Sequence, residues 1–240
     1  MKSHTEISNH GFTLIELLVA MAISGIVMAG VYSVYYTQQK SSRVQEQVSA
    51  MQQNLRAAMY FMMREISMAG CDPPPGGVQP PVGDAGAGIV TANINSIRFT
   101  MDITNTTGTS NQDDGLLDGP NEDITYSLYD FGGDGDTDLG RNTGGGNQPV
   151  AENIDALNFV YLDAAGVPLD DDGSGNVIAN IPAIRSVEIT LVARTGRGDP
   201  GYTNNTAYRN QQVAVIYTAP GDNLRRKSLT CEIRCRNLGL

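Results

Sequence analysis

The chain has 240 residues, 40% of them apolar, with 27 glycines, three cysteines, two histidines and a formal charge of −10. That acidic balance excludes a protein that tracks a phosphate backbone, so no nucleic-acid partner is expected. Both histidines, His4 and His10, precede Gly11; the rest of the chain has none for general acid–base work or metal ligation and shows no nucleophile–base pair, so an enzyme is not expected.

In chain order, residues 1–11 form a short leader, and residues 12–36 read FTLIELLVAMAISGIVMAGVYSVYY with one charge, Glu16. About 25 residues at 1.5 Å each are enough to cross a hydrocarbon core of roughly 30 Å. An ionised carboxylate near the start of such a segment costs several kcal/mol unless a partner neutralises it, so Glu16 implies a partner. A cleaved secretory signal would have a more basic leader and a shorter apolar core. A plain signal anchor fits the length but gives no reason for Gly11-Phe12 followed by Glu16.

From Thr37 to Ala69 there is no Pro or Gly, and Val44, Val48, Met51, Leu55, Ala58 and Met62 fall on one helical face. Met59, Ile66 and Ala69 widen the stripe, so one helix over Phe12–Ala69 is expected, a membrane half and an amphipathic half (37–70). A two-stranded coiled coil would show the same seam; strands downstream that need a cover favour a core-facing stripe. Gly70 suits the helix C-cap, and Pro73-Pro74-Pro75 forbids continuation. Residues 71–88 form a Pro/Gly linker.

Residues 89–240 alternate as strands do: Ile97, Phe99 and Met101; Ile124, Tyr126 and Leu128; Leu157, Phe159 and Tyr161; Val187, Ile189 and Leu191; Val213 to Thr218; and Leu229, Cys231, Ile233 and Cys235. Six strands on Gly/Asp/Asn-rich connections describe an antiparallel sheet whose apolar face the amphipathic half-helix covers. The fold class is α+β.

Asp134, Asp136 and Asp138 alternate as in the first half of a Ca²⁺ loop. The glycine falls one place late for an EF-hand, however, and the twelfth position is Gly145, so a plain acidic turn is the alternative. Asp170-Asp171-Asp172 and Asp113-Asp114 read as solvated turns. On a terminal strand Cys231 and Cys235 lie roughly 13 Å apart, too far to bridge, so any disulfide uses Cys71 with one of them. The alternative is three buried thiols. Arg197-Gly198-Asp199 spells an adhesion tripeptide too short to carry an argument. No organic cofactor is implied.

The N-terminal residues Gly11, Phe12 and Glu16 resemble the processing site of type IV prepilins and pseudopilins. The resemblance implies cleavage after Gly11 by a prepilin peptidase, N-methylation of Phe12, and a role for Glu16 in meeting a neighbouring subunit's amino terminus. It implies a type IV pilin-like fold, storage in the bacterial inner membrane with the C-terminal domain in the periplasm, and partnership with other pilins and an inner-membrane assembly platform. The leader is less basic than most, and the helix lacks a proline in its membrane half. Segments 51–70, 124–130, 184–195 and 235–240 resemble PilW-type minor pilins, which implies a role at or near the pilus tip in starting assembly. A type II secretion pseudopilin of the J kind is the near alternative. A non-polymerising anchor with a Ca²⁺-dependent binding domain is the alternative of another class.

Overall fold

The computed structural model describes residues 12–72, 86–103, 117 and 119–239. Gly11, Pro73-Pro74-Pro75 and Asp113-Asp114 lie outside the described residues. The chain divides into two compact units, Met1–Glu46 and Gln47–Leu240.

A single helix, α1 (Leu14–Ile66), contributes to both. It is a few residues shorter than the expected 12–69. Thr13 lies outside it, and beyond Ile66 the turns tighten: Met68 N–H donates to Glu65 O at 3.0 Å and Ala69 N–H to Ile66 O at 3.1 Å, the three-residue spacing common at helix ends. Gly70 follows at φ +77 and donates its N–H to Thr100 O at 3.0 Å. A Cβ there would be held in the left-handed region and would stand 2.7 Å from Leu238 Cδ2. We expect Gly70→Ala to lower stability by roughly 1–2 kcal/mol, read from the guanidinium midpoint of the full chain in detergent; an unchanged midpoint would show that the turn relaxes around the methyl group.

In the second unit, β1 (Ile89–Asn93), β2 (Ser96–Thr100), β3 (Asp123–Tyr129), β4 (Asp138–Asn142) and β5 (Asn147–Ala151) form a five-stranded sheet in that order. β6 (Ile154–Leu162), β7 (Pro168–Leu169), β8 (Ser186–Arg194) and β11 (Arg226–Arg234) form a four-stranded sheet ordered β11-β8-β6-β7, and β9 (Ala207–Arg209) pairs with β10 (Val215–Thr218) as a ribbon. Every pairing is antiparallel. The single sheet of six strands is thus corrected to two sheets and a ribbon. Cys235 falls just outside the last strand, and Val213 is a turn residue at φ +64.

The stripe on α1 is a core stripe. Met51, Leu55, Ala58, Met59, Met62 and Ile66 are buried in one cluster with Ile97, Phe99, Tyr126, Phe159, Tyr161, Val187, Ile189 and Leu191. Each large side chain buried this way contributes about 1.5–3 kcal/mol of transfer free energy, which is why an intramolecular core wins over a coiled-coil seam. Glu65 locks the helix to the five-stranded sheet, accepting from Tyr126 Oη at 2.5 Å and from Arg141 Nε at 2.9 Å. Met63 Sδ lies 3.1 Å from Cys231 Sγ of β11.

All nine residues of β8 are buried. Val187, Ile189 and Leu191 face the core, while the polar row on the other side is roofed by the β9–β10 ribbon and its turn. There Gln212 donates to Glu188 at 2.9 Å and Asn210 to Asn158 at 2.9 Å. Arg194 reaches Asp136 at 2.5 Å and Asp155 at 3.2 Å, while Arg226 reaches Asp155 at 2.5 Å and Asp222 at 2.6 Å. These two guanidinium groups are 8% and 2% exposed, so their charges are compensated by carboxylates and not by water.

Candidate functional site

Thr13-Leu14-Ile15-Glu16 has the T-x-x-E pattern of a capping box, and the structure forms it. Thr13 N–H donates to Glu16 Oε2 at 2.8 Å, Thr13 Oγ1 donates to the same oxygen at 2.8 Å, and Glu16 N–H donates to Thr13 Oγ1 at 3.3 Å. The partner that the apolar surroundings of Glu16 demand is, within one chain, its own helix cap. Thr13 is therefore the capping residue of α1, a role that the four-residue pattern in the sequence already spells out.

Beyond this cap α1 is apolar and uncovered as far as Tyr36. Every residue from 12 to 43 is exposed, with Phe12 at 93% and Leu14 at 78%. An 18-residue window in α1 has a mean hydropathy of 2.3 with none of it buried; by length and composition α1 is the one helix among the described residues able to cross a membrane. Apolar surface on this scale is covered by lipid or by other helices. Phe12 and Glu16 stand together at the head of that surface; Gly11 is outside the described residues.

The other candidates do not join them. Asp136 is engaged by Arg194, and Asp138, buried at the start of β4, accepts from Phe131 N–H at 3.1 Å and Asn153 N–H at 2.8 Å. Asp134 accepts from Asp136 N–H at 3.0 Å. The three carboxylates thus serve different partners, and among the described residues no group of three or more His, Cys, Asp or Glu is arranged to hold a metal ion. The reason is the β3–β4 pairing, which draws Asp138 out of the loop and into a strand.

Asp171 organises the second acidic loop by accepting from the N–H groups of Ile178, Ala179 and Asn180 at 2.6, 2.7 and 3.0 Å. These bonds lower its pKa from 3.8 to about 2. A depressed carboxyl pKa means stability that is present above the unfolded value and lost as pH falls toward the folded one. We expect amide protection at Ile178, Ala179 and Asn180 to decline between about pH 4 and pH 2 in hydrogen exchange, and Asp171→Asn to abolish that decline; protection flat across the window would show that the loop is held by other groups.

Cys71 and Cys231 are half-buried, and Cys71 packs against the core beside the end of α1. Cys235 is buried, which pushes its thiol up to about 12. Of the adhesion tripeptide, Asp199 is tied to Arg225 at 2.8 Å.

A family model described as the prokaryotic N-terminal methylation motif matches residues 8–32, a span that contains Gly11, Phe12, Thr13 and Glu16. No curated protein matches the chain. Among solved structures, it is similar to a type IV-like pilin from Thermus thermophilus at 15% identity and a TM-score of 0.47, over 82% of this chain and 98% of that one. The motif implies processing by a prepilin peptidase and assembly with other pilins, and with the apolar helix it points to membrane anchoring and pilus association. The methylation motif thus lies at the head of a long helix whose C-terminal part covers antiparallel sheets.

Proposed function

We propose that the chain is a minor pilin of a type IV pilus, cut between Gly11 and Phe12, methylated at Phe12 and stored in the bacterial inner membrane with its C-terminal domain in the periplasm. From there it helps to start fibre assembly at or near the tip, with its first helical half passing from lipid to a bundle of like helices. The observation that carries this reading is the coincidence of the methylation motif with a helix whose apolar stretch, through Tyr36, is exposed along its whole length. A segment of that kind is stable only against lipid or against other such segments. Glu16 adds polarity to the exchange: a carboxylate at the head of an apolar helix favours the one register in which a neighbour's amine reaches it.

The test is the N-terminal sequence and intact mass of the protein from hosts with and without prepilin peptidase. The expected product is a chain beginning at N-methyl-Phe12 only where the peptidase is present. Retention of residues 1–11 in both hosts would remove the assembly reading. Immunogold labelling of sheared fibres then reads the position, with label at fibre ends expected and uniform label along the shaft overturning the tip assignment.

A further inference from the structure

The four-stranded sheet ends on β11, which is paired on one side only. Its register with β8 runs from Arg226↔Arg194 to Arg234↔Ser186 without a bulge. Thr195 N–H donates to Arg225 O at 2.9 Å and Cys235 N–H to Arg185 O at 3.0 Å. These two bonds fix the phase of the antiparallel ladder. The backbone groups of Lys227, Leu229, Cys231 and Ile233 turn toward β8; those of Arg226, Ser228, Thr230, Glu232 and Arg234 turn away from it. Among the described residues no strand lies on that outer side. An edge of this length with neither proline nor bulge is one that proteins usually blunt, and it is the template that strand addition uses.

The edge is also basic, within an acidic chain. Arg225 and Arg226 at its start are engaged by Asp199, Asp155 and Asp222. Lys227, Arg234 and Arg236 are exposed. At its far end β11 runs into a cleft of about 530 Å³ lined by Arg185, Arg234 and Arg236 together with Asp163, Ser186 and Glu232. A second copy fits this edge poorly. Antiparallel self-pairing centred on Thr230 sets Arg226 opposite Arg234 twice over, and each copy brings a net charge of −10. An acidic strand from a different polypeptide matches both the open ladder and the charge.

We propose that β11 is the docking edge for an acidic, extended segment of another polypeptide, which adds a strand to the sheet and sets a carboxylate among Arg185, Arg234 and Arg236. The proposal goes beyond the pilin reading and stands whether or not the chain is cut at Gly11.

The test uses the full chain in a neutral detergent and two fluorescein-labelled peptides, Asp-Thr-Val-Thr-Val-Thr-Asp and its counterpart with lysine at both ends, with binding read by anisotropy. The acidic peptide is expected to bind at least about tenfold more tightly than the basic one. Ser228→Pro removes an outward-facing N–H and leaves the β8 ladder whole, so it is expected to weaken that binding at least about tenfold with the melting temperature unchanged. Should proline lower the melting temperature, the double variant Arg234→Glu with Arg236→Glu decides alone, and it is expected to abolish the preference for the acidic peptide. Equal binding of both peptides, binding of neither, or acidic-peptide binding that survives the deciding variant would overturn the proposal. So would a dimer dissolved by Ser228→Pro in sedimentation velocity, which would assign the edge to a second copy.

Discussion

Glu16→Leu is expected to leave the amount of protein in the membrane fraction unchanged and to lower its incorporation into fibres by at least about tenfold, roughly 1.4 kcal/mol or more of lost assembly free energy. Leucine removes a charge from an apolar segment and so eases insertion. What it cannot do is pair with a neighbour's amine. The informative companion is Glu16→Gln. Glutamine at this position of a capping box still accepts from the Thr13 N–H but carries no charge. If pairing with an amine is the role of Glu16, Gln fails as Leu does; if the residue only caps α1, Gln assembles like the parent. Quantitative immunoblots of sheared fibres against membranes give the ratio, and parent-like incorporation of both variants would end the assembly role of Glu16.

Asp155→Ala is expected to be the most damaging single change among the charged residues of the second unit. Asp155 bridges Arg194 and Arg226, at 3.2 and 2.5 Å. Removing it leaves two nearly buried cations with one carboxylate each, Asp136 and Asp222. Breaking a buried pair costs about 3–5 kcal/mol. Because each arginine keeps one partner, the lower end applies, which for a unit of this size corresponds to a melting temperature lower by roughly 6–12 °C. Exposed Glu152, a few residues away, serves as the control, and Glu152→Ala is expected to stay within about 0.5 kcal/mol of the parent. Thermal unfolding followed by circular dichroism reads both, and equal melting temperatures for the two variants would show that Asp155 carries no net stabilisation.

The helix and the strands with strict alternation were legible because their periodicity is written in apolar residues. Met51 to Ile66 repeat at helical spacing, and Phe99, Phe159 and Ile189 sit in rows with period two; all are buried. β4 and β5 were not legible. Asp138-Leu139-Gly140-Arg141-Asn142 has the composition of a turn and becomes a strand because β3 offers it a ladder, with Gly140 leaving room for the Tyr129 ring. The division into two sheets was hidden for a similar reason, since alternation reports which face is buried and not which strand is the neighbour. At the N-terminus Glu16 stood out as a lone charge, whereas its polar companion Thr13 looked ordinary in an apolar run. The Asp155 bridge joins residues 71 positions apart in sequence, Asp155 and Arg226, and nothing local marks it.

The order in which the core is completed has a cost in time. Met63 on α1 touches Cys231 on β11, and 168 positions separate them. At about 5–20 residues per second, a ribosome takes roughly 10–30 s to make that stretch. For that interval the row from Met51 to Ile66 has no finished core to enter. The span in which nascent copies can stick to one another through their methionines is set by the rate of synthesis and not by the speed of folding.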